Sequence, residues 1–186
     1  MKRLFDLLFV FFMAFPLLVP IIIVALLIKL TSPGPVIYWS KRVGKNENIF
    51  KMPKFRTMRK DAPVVATHLL TDPNDWLTPV GSFLRRTSLD EVPQLWSILV
   101  GHMSLVGPRP ALFNQDDLVR LRRESGVYQL KPGLTGWAQI CGRDELSIPE
   151  KVKLDEEYLQ LHSFFFDLKI LYLTALMVLG QKGISH

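Results

Sequence analysis

The stretch "LLFVFFMAFPLLVPIIIVALLI", residues Leu7–Ile28, contains no charged side chain. As a straight helix rising ~1.5 Å per residue, it is about 33 Å long, which is enough to cross the hydrocarbon core of a bilayer. Pro16 and Pro20 fall near its middle, where each removes a backbone donor and opens the preceding turn. The stretch therefore predicts a membrane helix that bends at its prolines.

Two membrane topologies fit this helix. Basic residues flank both ends, so the distribution of positive charge gives a crossing no clear orientation. One topology is a single span with a proline kink. The other is a hairpin that enters, bends and returns, leaving both flanks in the cytosol, provided the loosened carbonyls find partners. A cleaved signal peptide is disfavoured, because the apolar run is too long and no small-residue cleavage site follows it. The flanking residues are Lys2, Arg3, Lys29, Lys41, Arg42 and Lys45.

Length and charge narrow the remaining possibilities. A chain of 186 residues predicts one compact domain. Its 23 basic and 17 acidic residues leave a formal charge of +6, which favours phosphates or an acidic lipid surface as partners. Nucleic acid is not predicted, because zinc-finger spacing, a basic region leading into heptads and a basic aromatic sheet motif are all missing. Cys141 is the only cysteine, so no intrachain disulfide forms and a reducing compartment is expected.

The segment after the apolar run is strongly basic. A short alternating stretch at Ile37–Trp39 predicts one strand. Residues 41–60 then carry Glu47 as their only acid among many Lys and Arg side chains. Apolar residues are interleaved, so the segment either lies on a membrane surface with its cations reaching phosphate, or forms a solvated basic edge. Residues 62–74 predict an exposed loop.

The stretch "RRTSLDEVPQ", residues 85–94, sets two acids side by side. Ser88 followed by Glu91 matches a capping box, which makes the acids part of a helix start. Alternatively, the regular helix begins nearer Pro93 and leaves Asp90 and Glu91 at its mouth. Thr78 is the expected cap of the preceding helix, with Pro79 in its first turn and Arg85 and Arg86 in its last.

Two further stretches predict fixed arginines. "MSLVGPRP", residues 103–110, places Arg109 between Pro108 and Pro110, which restrict the backbone and exclude a regular helix. "KPGLTGWAQICGR", residues 131–143, has a Pro-Gly turn and ends in Arg143. A guanidinium matches phosphate oxygens and stays charged, so these loops indicate an anion site. Walker A, GxGxxG and DxD sequences are absent, and the four histidines are too scattered to suggest zinc.

With these stretches in order, "KFRTM" (54–58), "TSLDEVPQL" (87–95), "MSLVGPRP", "KPGLTGWAQICGR" and "DLKIL" (167–171), the chain resembles the bacterial sugar transferase family, the monotopic polyprenol-phosphate phosphoglycosyl transferases. The resemblance covers nearly the whole chain. It implies transfer of a sugar 1-phosphate from a UDP-sugar to polyprenol (undecaprenyl) phosphate, with release of UMP, at the cytosolic face of the bacterial inner membrane. This reaction starts a glycan on its lipid carrier.

The resemblance also implies a fold. We expect a mostly helical α+β protein with a small β element and interfacial amphipathic helices. Residues 1–30 would form a re-entrant, proline-broken membrane helix, and residues 31–186 a cytosolic interfacial catalytic domain. In the family the break lies at a Ser-Pro pair. Pro20 matches that proline, but Val19 replaces the serine, so Pro16 is expected to share the bend.

The catalytic roles implied by the resemblance fall on the acid pair. Asp90 would attack the β-phosphorus and form a phosphosugar-aspartyl intermediate, while Glu91 holds magnesium or manages a proton. Asp90 and Glu91 are the expected Mg²⁺ ligands. Adjacent side chains point about 100° apart on a helix and to opposite faces on a strand, so two roles are more natural than one shared proton.

The remaining site residues are also carried over from the resemblance. Cys141 and Ser97 stand where the family usually has Asn, so contacts by those amides are not assumed. Arg86, Arg56 and Arg59 are weaker candidates for substrate contacts. The stronger substrate-binding candidates are Lys54, Arg85, Arg109, Arg143, Ser88, Pro108, Pro110 and Gln139.

The last hydrophobic stretch, "SFFFDLKILYLTALMVLG" (163–180), is interrupted by Asp167 and Lys169. The uncharged remainder is too short to cross a bilayer, so the helix either lies flat at the interface or is a buried core helix. Residues 148–162 predict a mixed-charge surface helix.

Two rival functions are compatible with a membrane-bound basic protein. A glycosyltransferase that moves only the sugar would release UDP, but it usually needs a larger nucleotide fold and often a DxD motif. A non-catalytic lipid-surface adaptor would need the anchor and the basic segment, but no ordered arginine loops around Asp90.

Overall fold

The computed structural model describes residues 1–63, 72–142 and 146–180. Within these ranges the protein is mostly helical with two small two-stranded sheets, as expected. The strands are β1 (Ile37–Val43), β2 (Ile49–Phe55), β3 (Ser104–Val106) and β4 (Gly133–Thr135). The helices are α1 (Lys2–Thr31), α2 (Gly81–Arg86), α3 (Leu95–Leu99), α4 (Asp116–Glu124), α5 (Trp137–Cys141), α6 (Ile148–Leu161) and α7 (Phe164–Gly180).

Helix α1 contains the apolar stretch and is, among the described residues, the one helix long and apolar enough to cross a membrane. Neither proline interrupts it: Pro16 and Pro20 both lie inside one helix. The break expected at Pro20 and shared by Pro16 stays a prediction, because a proline removes one hydrogen bond and bends a helix while neighbouring bonds keep the turn helical.

The two ends of α1 are buried and its middle is not. Asp6 and Val10 are buried near the start, and Val24 and Ile28 near the end, whereas residues 11–20 include no buried side chain. Both ends of α1 therefore pack on the folded body, and its central apolar part stands clear of it.

The first end of α1 joins the main hydrophobic core. Val10 packs there with side chains from β2, α3, β3, α6 and α7. Polar contacts accompany this packing: Ser104 Oγ donates to Asp6 at 2.8 Å, and Lys2 forms an ion pair with Asp167. Arg3 donates to the carbonyl of Leu99 at the end of α3 (2.8 Å).

The second end of α1 joins a smaller core in which Val24 and Ile28 meet Phe55 and Leu84. Arg56 lies beside this core, is only 5% exposed, and donates to the carbonyls of Ser32 (2.9 Å) and Pro33 (2.8 Å). Arg56 therefore holds the chain where it leaves α1.

Strands β1 and β2 form an antiparallel hairpin in which Ile37 pairs with Phe55. Half of the basic segment 41–60 is thus strand, at residues 41–43 and 49–55. Phe50, Met52 and Phe55 of β2 are buried, whereas Lys51 is exposed. Because its basic residues and Pro53 obscure the alternation, β2 was not predicted; β1 was.

The parallel pair β3 and β4 is unusually close. Ser104 pairs with Gly133, and a Cβ at Gly133 would lie 2.1 Å from the Gly107 nitrogen. Glycine is therefore required at position 133 for the two backbones to meet. The close approach of Gly107 to Gly133 fixes the end of β3, from which the loop with Arg109 begins.

The last two helices differ in exposure. α6 begins with a capping box formed by Ser147 and Glu150, and it buries Val152, so it is more than a surface helix. α7 buries Ile170 but leaves Phe165 81% exposed. α7 is thus not a fully buried core helix. One face packs on the core, and the face that carries Phe165 is exposed and apolar.

Candidate active site

The acid pair lies in a 3₁₀ turn, Leu89–Gln94, between α2 and α3. Ser88 precedes this turn in the left-handed region (φ 55°), and its side chain makes no capping bond. The predicted capping box is therefore wrong. The alternative start nearer Pro93 agrees with the structure, in which α3 begins at Leu95.

Thr78 does not cap α2 either. Its hydroxyl donates to the carbonyl of Thr57 at 3.3 Å, and α2 begins at Gly81 without a side-chain cap. A Cβ on Gly81 would lie 2.2 Å from the same Thr57 carbonyl oxygen. The first residue of α2 therefore has to be a glycine for the helix to pass this close to Thr57. Arg85 and Arg86 do lie in the last turn of α2, as predicted.

Lys54, in β2, stands beside both acids. Its Nζ donates to Glu91 Oε1 at 2.7 Å and lies 3.8 Å from Asp90 Oδ2. Arg109 Nη2 donates to the same Glu91 oxygen at 3.0 Å. Glu91 is thus bound by two cations, whereas among the described residues no side chain donates a hydrogen bond to Asp90.

The surroundings shift the pKa values of the two acids in opposite directions. Burial raises the pKa of Asp90, and the nearby Lys54 cation opposes this only in part. Burial acts in the same direction on Glu91, but Arg109 and Lys54 together outweigh it and hold the pKa of Glu91 well below its usual value. One carboxylate is therefore an ion-pair partner, and the other is a more basic oxygen next to a cation.

Two further arginines border the pair. Arg85 Nε donates to Thr57 Oγ1 at 3.1 Å; burial lowers the pKa of Arg85, and the charge of Asp90 acts in the opposite direction. Arg42 was not predicted as a site residue. Burial, with Arg109 nearby, lowers the pKa of Arg42 to about 10. The β1–β2 register pairs Arg42 with Phe50 and Tyr38 with Lys54, so Arg42 and Lys54 belong to one hairpin, but β2 was not predicted.

The other candidates fall in several places. Pro108 and Pro110 flank Arg109, as the sequence requires. Gln139 is buried in α5, where its amide donates to the Leu134 carbonyl at 3.2 Å and its Oε1 has no partner among the described residues. Among the described residues, no hydrogen bond joins Gln139 to Asp90 or Glu91. Arg143 lies outside the described residues.

The weaker candidates are not brought to the acids. Arg86 is exposed, and Arg59 forms an exposed pair with Asp61. Ser97 is fully buried with no hydrogen-bond partner for its Oγ among the described residues. The amide expected at position 97 from the family is therefore replaced by a small buried hydroxyl.

The carboxylates of Asp90 and Glu91 fit a magnesium site in which substrate phosphate and waters supply the remaining ligands. The described residues contain no group of three or more His, Cys, Asp or Glu side chains that would form a complete metal cage. Mg²⁺ is commonly held by one or two carboxylates together with substrate phosphates and waters. Asp90 and the second oxygen of Glu91 supply such carboxylates, so a metal would be completed by a phosphorylated substrate.

A buried acid pair thus lies among fixed cations, in a turn whose Leu89 packs against the cluster that contains Val24 and Ile28 of α1. The chain belongs to the bacterial sugar transferase family, whose model matches residues 1–181. The family expected from the sequence is thereby confirmed.

Several curated proteins are similar to this chain. "UDP-glucose:undecaprenyl-phosphate glucose-1-phosphate transferase" of Escherichia coli K12 is 44% identical over 82% of this chain and 34% of its own length. "Uncharacterized sugar transferase EpsL" of Bacillus subtilis 168 is 40% identical over 100% and 91%. "Undecaprenyl-phosphate galactose phosphotransferase" of Salmonella typhimurium LT2 is 36% identical over 98% and 41%. The chain thus spans about a third of the E. coli relative and most of the B. subtilis one.

Proposed function

We propose that this protein transfers a sugar 1-phosphate from a UDP-sugar to polyprenol phosphate, giving a polyprenyl-diphosphate-linked sugar and UMP. The names of the E. coli and Salmonella relatives state a sugar or sugar-phosphate transfer involving undecaprenyl phosphate. The observation that carries the proposal is the division of the acid pair, with Glu91 bound by Lys54 and Arg109, and Asp90 buried beside them.

In the first step, an Asp90 carboxylate oxygen forms a bond to the β-phosphorus of the UDP-sugar. The bond between that phosphorus and the bridging oxygen breaks, and UMP leaves with the electron pair. Asp90 suits this role because its raised pKa makes the ionised oxygen more basic than an ordinary aspartate. The result is a phosphosugar-aspartyl intermediate.

In the second step, a phosphate oxygen of the lipid acceptor attacks the same phosphorus, and Asp90 leaves as a carboxylate. The acceptor is a phosphate monoester with a second pKa of about 6, so it is largely ionised at neutral pH and needs no strong base. Restoring Asp90 completes the cycle.

Charge repulsion is the larger obstacle, because an anionic side chain must approach a diphosphate. Lys54 and Arg109 supply positive charge at the acid pair, and Arg85 lies near Asp90. When bound at the two carboxylates, Mg²⁺ would neutralise part of the charge on the diphosphate oxygens. Cations fixed in advance stabilise the leaving UMP as its charge develops.

A re-entrant path of α1 accounts best for its contacts, with the catalytic body at the cytosolic membrane face. A single span would separate the two helix ends by a bilayer. Instead, Asp6 meets Ser104 and Ile28 packs with Phe55 and Leu84, all on the folded body. The exposed apolar middle of α1 would enter the lipid, and Phe165 on α7 would lie at the interface.

Cysteine labelling tests this topology. In a Cys141→Ser background, Leu4→Cys and Leu30→Cys place thiols at exposed positions near the two ends of α1. A membrane-impermeant maleimide is expected to label both in inverted vesicles and neither in intact spheroplasts. Labelling of the two positions from opposite sides would establish a single span instead.

Nucleotide analysis tests the reaction. Purified protein incubated with radiolabelled UDP-sugar and polyprenol phosphate is expected to release UMP. The reaction should stop with EDTA and resume with added Mg²⁺. Release of UDP would identify a glycosyltransferase that moves only the sugar, and activity unaffected by EDTA would exclude the magnesium role.

A further inference from the structure

The loop that carries Arg109 is held through its carbonyl groups. Pro108 and Pro110 have no backbone N–H, so the loop has few donors of its own. Four consecutive carbonyls of the loop accept hydrogen bonds, at residues 108–111. The Gly133 N–H donates to the Pro108 oxygen at 2.9 Å. Arg122 Nη1 donates to the Arg109 oxygen at 2.8 Å, Arg42 Nη1 donates to the Pro110 oxygen at 3.0 Å, and the Val43 N–H donates to the Ala111 oxygen at 3.0 Å.

Arg122, on α4, is itself fixed by a buried acid. Its Nε and Nη2 donate to Asp155 Oδ2 at 3.0 and 2.7 Å, and Asp155 on α6 is 1% exposed. Two donors of the guanidinium are thus committed to Asp155, and a third reaches the carbonyl of Arg109. A planar fork with several donors can make these contacts together, whereas an ammonium on a single stem cannot reproduce their geometry.

Arg42, on β1, forms the second contact, with the next carbonyl along the loop. Its Nε lies 3.0 Å from Ser40 Oγ within β1, and Ser40 is 2% exposed. β1 and α4 therefore hold neighbouring carbonyls of one loop. The loop then presents the Arg109 guanidinium to Glu91.

We propose that Arg42 and Arg122 are positioning residues that fix the backbone of residues 109–111, so that Arg109 is aimed at the acid pair and at the donor diphosphate. This inference rests on the proposed function. A long side chain is aimed by the position of its backbone, and a misplacement of about 1 Å at an active site can lower the rate by about 100-fold. Backbone N–H groups of Gly133 and Val43 hold the loop at Pro108 and Ala111, and the two guanidiniums hold the carbonyls of Arg109 and Pro110 between them.

Arg122→Lys tests the inference. The lysine keeps a positive charge for Asp155 but loses the fork that also reaches the Arg109 carbonyl. We expect kcat/KM for the UDP-sugar to fall by about 10- to 100-fold. The same change in an Arg109→Ala background should then have less than about a twofold effect, because no guanidinium is left to aim. For variants that are too slow for steady-state kinetics, the sugar-phosphate adduct formed with UDP-sugar alone is measured in single-turnover reactions over hours.

Matched controls separate aiming from stability. Arg123→Lys changes the adjacent arginine, which forms an exposed pair with Glu47, and should leave kcat/KM unchanged. Ile170→Ala removes buried volume from α7, in a core that contains no residue of the segment 109–111, and lowers the melting temperature. If Ile170→Ala loses as much kcat/KM as Arg122→Lys at equal loss of melting temperature, stability explains the effect and the inference fails.

The double variant decides the remaining outcomes. An equal loss from Arg122→Lys with and without Arg109 would show that Arg122 acts independently, which overturns the inference while the proposed function stands. If Arg122→Lys does not fold, Arg42→Lys makes the same comparison at the neighbouring carbonyl. A wild-type protein without sugar-phosphate transfer would overturn the proposed function, and with it the aiming role.

Discussion

Asp90→Asn is expected to abolish the covalent sugar-phosphate adduct and to lower transfer to polyprenol phosphate by about 10⁴-fold or more. The amide keeps the shape of the side chain but supplies no anionic oxygen to bond phosphorus. Intact-protein mass analysis after mixing with UDP-sugar alone measures the adduct directly. The wild type should gain the mass of one sugar phosphate, and the variant should gain nothing.

The same substitution should not destabilise the fold. Burial raises the pKa of Asp90, so the folded state holds this proton more tightly than the unfolded chain. The carboxyl therefore makes folding less favourable as the pH rises above its unfolded pKa, and an amide avoids that cost. At neutral pH we expect a melting temperature equal to or above that of the wild type, with the difference shrinking as the pH falls toward about 4.

Asp116→Asn is the matched control, because it changes an exposed aspartate in the first turn of α4. It should leave both adduct and turnover intact. Two results would contradict the role of Asp90. Wild-type turnover in Asp90→Asn would remove the residue from the chemistry, and turnover in the wild type without any adduct would indicate direct transfer with Asp90 as a base.

Glu91→Gln is expected to cause the second large loss, lowering kcat/KM by about 100-fold or more. The glutamine removes the anion to which Lys54 and Arg109 donate. Lys54 Nζ, already 3.8 Å from Asp90 Oδ2, would then close on the nucleophile and hold it as an ion pair. Unlike Asp90→Asn, this variant should still form some adduct, only slowly, because the attacking oxygen is present.

Glu91→Gln should also destabilise the protein, by about 2 kcal/mol, because it replaces two charge-assisted hydrogen bonds from the cations by bonds to a neutral amide oxygen. The pKa of Glu91 lies well below its usual value, so its contribution is complete above the unfolded pKa of about 4.3 and is lost as the pH falls further. Denaturant unfolding at pH 7 and at pH 3 measures this difference.

Glu124→Gln provides the comparison, since it breaks an exposed pair with Arg120 and should change stability by less than about 0.5 kcal/mol. Equal stability of Glu91→Gln and the wild type at pH 7 would show that the cations have other adequate acceptors.

Much of the site could be predicted from short-range sequence patterns. Prolines on both sides of Arg109 indicate a fixed loop whatever the rest of the chain does. The family motifs then point to Asp90, Glu91 and Lys54, and the structure brings these residues together with Arg109. Such patterns are informative because they encode local backbone restriction and charge.

Contacts between distant segments could not be predicted in the same way. Ser88 and Glu91 match a capping box by spacing, but the left-handed backbone at Ser88 and the pull of Lys54 on Glu91 override that local preference. Arg42 and Arg122 reach loop carbonyls 68 and 13 residues away in sequence. Every residue has a backbone carbonyl, so the sequence does not indicate which carbonyl an arginine will bind, and only the folded structure shows these partners.

The ion pair between Lys2 and Asp167 joins residues 165 positions apart. At a synthesis rate on the order of 10 residues per second, the acid leaves the ribosome roughly 15 seconds or more after its partner. Until then, the first turns of α1 lack the partner that pairs with Lys2. Docking of the amino-terminal turns of α1 on the folded body is therefore a late step of folding, after nearly the whole chain has been made.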